Sequence, residues 1–404
     1  MTDADATHLD VVIIGGGGAG LWLLDDLHRS GYSVLLVESE ALGSGQTVAS
    51  QGIIHGGLKY ALGGILTDSA KSIRDMPDYW RACLAGSREP HLTDTRVCSE
   101  HCYLWRTGSL RSRIGMIGAR TGLRSAAVKV ARRDRPTVLA ACPGDVACVS
   151  EQVVDPVSLL GDLARRHHQL LARVEAPEGM EFVTAGAGFV EEVILTDPQT
   201  HRRLKLHPRH VIFTAGTGNG ELREHAGLSF SAMQRRPLQM VMVRGVLPVL
   251  FGHCVDGART RVTITTAADS KGRTVWQVGG QVSEDGVEMT EGDLIAHARS
   301  EISAVLPNID LSETEWATYR IDRAEGKTVG DRRPSDPVVR CEGNVITGWP
   351  TKLALLPQLT KLIKASLGEP SAGELKPSSL PPDWPRPEVA APPWEASRRW
   401  TAAC

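Results

Sequence analysis

The run Asp10-Val11-Val12-Ile13-Ile14-Gly15-Gly16-Gly17-Gly18-Ala19-Gly20, with Glu38 eighteen positions beyond Gly20, decides the fold. Asp10 to Ile14 is a short β-rich run, Gly15 to Gly20 a turn, Leu21 to Ser30 a helix and Ser33 to Glu38 a second strand. That order in so few residues demands a parallel pair with a right-handed crossover. Gly15, Gly17 and Gly20 satisfy the spacing G-x-G-x-x-G. The first glycine permits the sharp exit from the strand, the second lets the backbone touch a pyrophosphate, and the third lets helix and strand pack closely. At Gly17 a branched side chain is expected both to fill the pyrophosphate space and to strain the backbone. Gly18 and Ala19 complete the turn, and the helix start they form presents unpaired N–H groups to the phosphates. Glu38 ends the second strand, where a carboxylate accepts hydrogen bonds from a ribose diol.

The next segment is Gly43-Ser44-Gly45-Gln46-Thr47-Val48-Ala49-Ser50-Gln51-Gly52-Ile53-Ile54-His55-Gly56-Gly57-Leu58-Lys59-Tyr60. It is small, polar and dense in glycine, where a plain NAD domain goes straight into its next helix. Gly45, Gln46, Thr47, Ser50, Gln51 and Gly52 are candidates to line a flavin: amide and hydroxyl donors reach the pyrophosphate, and small residues let the chain lie along the ring.

These residues resemble the large FAD-dependent family of D-amino-acid oxidase, sarcosine oxidase, glycerol-3-phosphate dehydrogenase and 2-hydroxyglutarate dehydrogenase. Ile53 to Tyr60 is most similar to the glycerol-3-phosphate dehydrogenase segment, with Lys59 where those enzymes usually carry Arg. The resemblance continues at Val153-Val154-Asp155-Pro156, at Thr214-Ala215-Gly216, at Gly330-Asp331-Arg332-Arg333-Pro334-Ser335-Asp336, and at Gly348-Trp349-Pro350-Thr351-Lys352-Leu353. It implies FAD as cofactor, with Ala215, Gly216, Gly348, Thr351, Lys352 and Leu353 among its contacts. In the family a glycine pair precedes the last helix; here Trp349-Pro350 stands there. A helix beginning near Leu353 would point its N-terminus, with Lys352 beside it, at the flavin pyrimidine edge.

The expected architecture is α/β: a Rossmann-type FAD-binding domain with an inserted mixed-sheet α+β substrate domain. Residues 10–68, 151–225 and 321–367 are assigned to the FAD-binding domain, 69–150 and 226–320 to the substrate domain, and 368–404 to a Pro-rich tail. Within these, strands are expected at Met240–Leu250 and Arg261–Gly280, and a helix at Asp293–Leu306. The tail holds eight prolines from Glu369 on and is expected to form no regular helix or sheet, being either a loose arm or a strap across the body.

His55 is the candidate acid/base, because imidazole titrates near neutrality and hydride loss from CH–OH or CH–NH goes with loss of a proton. Two other roles stay open for it: hydrogen bonding to flavin or backbone, and covalent attachment of the flavin. Lys59, Arg323 and Arg333 are candidates to hold an anionic substrate, with Lys327, Arg332 and, less directly, His253 as further candidates. If 55–60 is an irregular strand, His55 and Lys59 share a face. The implied reaction is oxidation of a small-molecule hydroxy acid, polyol phosphate or amino acid, with oxygen, a quinone or a partner protein as electron acceptor. The alternatives are an NAD(P)-dependent dehydrogenase, and a non-catalytic or RNA-modifying flavoprotein of the same fold.

The net charge is −2 over 404 residues, with 42% hydrophobic and 23% charged residues, which indicates neither nucleic acid nor a membrane as a partner. The first ten residues are polar and acidic and lack a signal peptide's basic start, and no stretch of about 18 apolar residues follows, so a cytoplasmic protein is expected. Between Arg106 and Arg135 nine Lys/Arg face one acid, Asp134. This stretch reads as a solvated helical face, or as a peripheral contact with the inner face of an anionic membrane. Of the eight cysteines, Cys98 and Cys102 form a lone C-x3-C and Cys142 and Cys148 lie six apart; neither has a matching second half, so no metal is expected.

Overall fold

The computed structural model describes residues 7–57, 73–108, 127–256, 259–371, 380–396 and 398–402. The chain opens with β1 (Thr7–Ile14), α1 (Gly18–Arg29) and β2 (Val34–Glu38). Then come α2 (Met76–Leu84), β3 (Val97–Ser99), β4 (Cys102–Trp105), β5 (Val128–Val130), β6 (Val146–Val149) and β7 (Val153–Val154). A second run in the first sheet follows: α3 (Pro156–Arg166), β8 (Leu171–Arg173), β9 (Met180–Gly186), β10 (Phe189–Thr196), β11 (Arg203–Phe213) and α4 (Asn219–His225). The second sheet is completed by β12 (Met233–Gly245), β13 (Gly252–Asp256), β14 (Arg259–Ala268), β15 (Thr274–Gly279), α5 (Gln281–Asp285), α6 (Glu291–Val305) and β16 (Glu315–Gly326). Last are β17 (Val338–Glu342), β18 (Val345–Trp349), α7 (Leu356–Lys364) and β19 (Thr401–Ala402).

The first sheet runs β17-β18-β11-β1-β2-β8, with β10 and β9 continuing from β11. β1 is central and parallel to both β2 and β11. Leu9 to Ile14 are all buried, as a strand with parallel neighbours and layers on both faces must be. α1, α3 and α7 cover one face through Leu21, Trp22, Leu24, Leu159, Leu163, Leu359 and Ile363. Asp155 caps α3 through the amide of Val157 at 3.0 Å, with Pro156 preset for the first turn.

The second sheet runs β19-β16-β12-β15-β14-β13-β4-β6-β5. Side chains alternate across it. Val241, Val243, Trp276, Val278 and Trp316 pack on Leu294, Ala298 and Ile302 of α6. The opposite face carries Met240, Met242, Val275, Ala317 and Tyr319, and receives Ala49 from the loop after β2. Tyr319 donates its hydroxyl proton to the Ala49 carbonyl at 3.0 Å. This contact seats the loop between the two sheets.

Three expectations about elements need correction. β12 begins at Met233, not Met240, and ends at Gly245; Val246 and Val249 beyond it are exposed. Pro237 hid the first half of the strand in the sequence. It is tolerated because β15 pairs β12 only from Val241 onward, so this half behaves as an edge on that side. The closing helix does not begin at Leu353: Leu353–Leu355 is a 3-10 turn and the α-helix starts at Leu356, with Pro357 in its first turn. The tail is not without sheet structure. Thr401 and Ala402 pair with Trp316 and Glu315, Val389 bridges Leu42, and Trp384 is buried against the first sheet. It is a strap across the body.

Among the described residues, no helix is long and apolar enough to cross a membrane. Of the basic stretch 106–135, residues 109–126 lie outside the described residues.

Candidate functional site

The glycine turn is built at van der Waals limits. Gly15 has φ +111, and a Cβ there would lie 2.5 Å from the backbone of Ala215, so only glycine fits against the turn after β11. A Cβ at Gly20 would lie 2.0 Å from the Gly15 carbonyl oxygen. Gly17 differs. Its φ is −73, open to any residue, so the strain expected there is absent. A Cβ on it would meet only the Thr47 hydroxyl, at 3.3 Å. Nothing in the protein itself requires glycine at that position; the clearance fits a ligand lying against the backbone.

Thr47 reaches the same spot. Its hydroxyl accepts the Gly18 amide proton at 3.1 Å, at the start of α1. Next to it, the Glu38 carboxylate accepts from the amides of Gly16, Ser39 and Glu40 at 2.6, 2.9 and 2.9 Å. Burial pushes the Glu38 carboxyl up despite those donors. Ala19 is buried under the turn. Across the sheet, the Ala215 amide donates to Asn219 Oδ1 at 2.8 Å, and Gly216 takes φ +58.

The loop after the turn runs along the face of the second sheet. Gln46 Oε1 accepts the Ala324 amide proton at 3.0 Å. Gly45 and Gly52 take φ +84 and +67, and a Cβ on Gly52 would strike the Val154 carbonyl oxygen. The Gln51 amide donates to the carbonyls of Gln277 and Thr263 at 3.0 and 3.2 Å. The Ser50 hydroxyl is buried with no hydrogen-bond partner among the described residues. On the closing element Gly348 packs beneath Ile363 and Leu359, and Leu353 starts the 3-10 turn. Thr351 takes φ +61, uncommon for a β-branched residue and costly where it occurs, and its hydroxyl is likewise buried without a partner. Lys352 is buried and donates to the Ser335 carbonyl at 3.4 Å. Buried hydroxyls without a partner among the described residues on two segments, together with the clearance over Gly17, fit an elongated polar ligand such as FAD.

Beyond Gly52 the chain is zipped to residues 151–154. Val154 donates to the Gly52 carbonyl at 2.9 Å and Ile54 to that of Gln152 at 2.8 Å. The last rung is a side chain: Glu151 Oε1 accepts the Gly56 amide proton at 2.7 Å. The other oxygen of Glu151 lies 3.2 Å from Nδ1 of His55 and 4.0 Å from Nε2 of His253. His253 is fully buried on β13, its Nδ1 2.8 Å from the Thr263 hydroxyl. Glu151 was missed in the sequence. Its signal was an acid in the short polar break Ser150-Glu151-Gln152 between Val149 and Val153, just before the family-like Val153–Pro156 run.

The cationic candidates gather elsewhere on the same face. Arg323 lies opposite Arg236 in the β12–β16 ladder, and Arg236 is held by both oxygens of Glu325 at 2.7 Å. Arg323 has one contact to Glu284 at 3.3 Å, and its buried Nε has no hydrogen-bond partner among the described residues. Burial, then the charges of Arg236 and Arg333, push its guanidinium down to about 10. Arg333 is itself exposed. The structure thus gives two clusters: His55 with Glu151 and His253, and Arg323 with Arg236 and Arg333. Lys59 lies outside the described residues. Cys98, Cys102, Cys142 and Cys148 are free thiols.

Residues 10–349 match the family described as FAD dependent oxidoreductase. The chain is 40% identical over 397 residues to a probable FAD-dependent oxidoreductase of Pseudomonas aeruginosa, covering 97% of this chain and 99% of that protein. The crystal structure of the FAD dependent oxidoreductase from the same organism superposes with a TM-score of 0.80 at 36% identity, over 98% of this chain and 99% of that one. L-alpha-glycerophosphate oxidase from Mycoplasma pneumoniae, solved with FAD bound, shares the fold with a TM-score of 0.63 at 14% identity, over 95% and 99%.

Proposed function

Because the chain belongs to the FAD dependent oxidoreductase family, we propose that it oxidises a small anionic substrate, a hydroxy acid, polyol phosphate or amino acid, at a CH–OH or CH–NH group. It is an FAD enzyme, which sets aside the nicotinamide and the non-catalytic readings. FAD, when bound, would supply the two-electron acceptor for the reaction.

The observation that carries the anionic substrate is Arg323. A half-buried guanidinium held down to about 10, with a buried Nε lacking a hydrogen-bond partner among the described residues and two further arginines nearby, is an incompletely compensated cation. An anion at this point would offset its desolvation, and a planar fork suits carboxylate or phosphate. Arg333 would add charge from the solvent side. His55, at the end of the loop that borders both sheets, would take the substrate's proton as the hydride leaves. Thr47, Gly17 and the start of α1 would hold the pyrophosphate, Glu38 the adenosine ribose, and Ser50, Thr351 and Lys352 the flavin end. The glycerophosphate oxidase neighbour is named for a phosphorylated polyol, which is of the proposed class.

The test is anaerobic bleaching of the FAD-loaded protein by 2-hydroxy acids, amino acids and glycerol 3-phosphate, each beside a neutral analogue. Bleaching by anionic members alone is expected. A neutral alcohol or amine that bleaches as fast as its anionic counterpart would remove the role of Arg323. Unchanged reduction in His55→Ala would remove His55 as base.

A further inference from the structure

We propose that Glu151 is a positioning residue that holds His55 in the Nδ1–H tautomer, leaving Nε2 bare as the atom that accepts the substrate proton. The role of Nε2 rests on the reading of His55 given above; the tautomer does not.

The geometry of the carboxylate leads to this. Glu151 is 1% exposed, and a buried carboxylate must be surrounded by donors to remain charged. Oε1 takes the Gly56 amide proton at 2.7 Å. Oε2 faces Nδ1 of His55 at 3.2 Å and Nε2 of His253 at 4.0 Å. An ionised carboxylate only accepts, so the imidazole nitrogen it faces must carry hydrogen. For neutral His55 that places the proton on Nδ1 and leaves Nε2 unprotonated. His253 completes the surround. Its Nδ1 lies 2.8 Å from the Thr263 hydroxyl, which is able to donate to it, and the tautomer that accepts this proton presents Nε2–H toward the same oxygen. Its ring lies 5.6 Å from that of His55, tilted by 36°, so one carboxylate lies between two imidazoles. When His55 accepts a proton at Nε2, the imidazolium faces a negative charge already in place.

The arrangement is stiff where it needs to be. Gly56 follows His55 directly, so the Oε1 contact fixes the backbone next to the ring while Oε2 fixes the ring itself. A carboxylate is needed for both. In Glu151→Gln the amide oxygen must remain on Gly56, because an NH2 group cannot accept that proton. The NH2 then takes the place of Oε2 and donates to Nδ1 of His55. The ring is forced into the Nε2–H tautomer, which cannot accept a proton from the substrate. The shape of the side chain hardly changes; only the tautomer does.

Two-dimensional 15N–1H spectra of histidine-labelled, FAD-loaded protein read the tautomer directly, with His55 assigned by its loss in His55→Gln. The expected result is a protonated Nδ1 and a bare Nε2 in the wild type, reversed in Glu151→Gln. Flavin reduction by the fastest member of the substrate panel should fall roughly 10²–10⁴-fold in Glu151→Gln, with its half-saturation concentration little changed. A wild-type His55 protonated on Nε2, or a tautomer indifferent to Glu151→Gln, would overturn the proposal. So would a stoichiometric divalent ion retained by the wild type and lost in the variant, since the three side chains would then be ligands. A reversed tautomer combined with full activity in both Glu151→Gln and His55→Ala would leave the positioning intact and refute His55 as the base.

Discussion

Gln46 Oε1 accepts the backbone amide proton of Ala324 at 3.0 Å, joining the loop after β2 to the edge of β16 in the other sheet. Ala324 is buried, so its N–H has no water to fall back on. Gln46→Leu should therefore cost about 1–3 kcal/mol, the usual penalty for a stranded buried donor. Gln46→Glu keeps an acceptor in place and should cost less. Urea unfolding of the two variants beside the wild type measures the difference. Equal stability of Gln46→Leu and wild type would mean the contact carries no weight.

Gly17 and Gly20 should respond differently to a side chain. A Cβ at Gly20 overlaps the Gly15 carbonyl oxygen, so Gly20→Ala should destabilise the fold with or without cofactor. A Cβ at Gly17 meets only the Thr47 hydroxyl, so Gly17→Val should melt close to the wild-type apoprotein yet purify colourless. Visible flavin absorbance per mole of protein, with a thermal melt of the apo forms, separates the two. A fully yellow Gly17→Val would refute the placement of the pyrophosphate.

FAD binding should weaken on acidification through Glu38. Burial pushes this carboxyl above its ordinary range, so the FAD-free protein takes up its proton at a higher pH than an exposed glutamate would. If, as proposed, ribose hydroxyls donate to the anion, the carboxylate's share of affinity is complete above that raised value and is lost as pH falls through it. For folding the sign is opposite: the buried anion costs stability at neutral pH, and that cost is relieved by protonation. Glu38→Gln should bind FAD more weakly at neutral pH, by about 1–3 kcal/mol, with a flatter pH dependence. FAD titrations of both proteins across the acidic range provide the check. Turnover at saturating FAD should change little.

Arg323 should link anion binding to stability. Its guanidinium is held down to about 10, so the charged form is disfavoured by folding and the cost persists at every pH below that value. A bound anion offsets it. A carboxylate or phosphate substrate analogue should raise the melting temperature of wild-type protein at neutral pH and have little effect on Arg323→Met. Equal shifts in both would locate the anion elsewhere.

The strap should matter to the fold. Trp384 is 2% exposed, packs in the core of the first sheet, and donates its indole N–H to the Arg173 carbonyl at 2.9 Å. Trp384→Ala should cost about 3–5 kcal/mol. Denaturant unfolding measures it, and a loss under 1 kcal/mol would show the strap to be loosely attached.

The sequence by itself determined what short-range geometry demands. The strand Asp10–Ile14, the glycine turn and the carboxylate at Glu38 were all legible, because backbone clearance and alternation act between residues a few positions apart. The small polar segment 43–60 pointed to a flavin for the same reason. Tertiary structure alone decided the rest. The half of β12 around Pro237 was not read as a strand; it pairs only with β16, because β15 joins β12 from Val241 onward. The tail offered no periodicity, since Trp384 and Val389 are ordered by packing on β-sheet residues far away in the chain. Glu151 looked like one acid among many; it gained its role from Gly56 and His55, ninety-five and ninety-six positions distant. Arg323 and Arg333 could be named from the chain, but not the crowding with Arg236 that holds a guanidinium down. Burial and the direction of a side chain's partners are set by which strands become neighbours, and a local pattern does not contain that information.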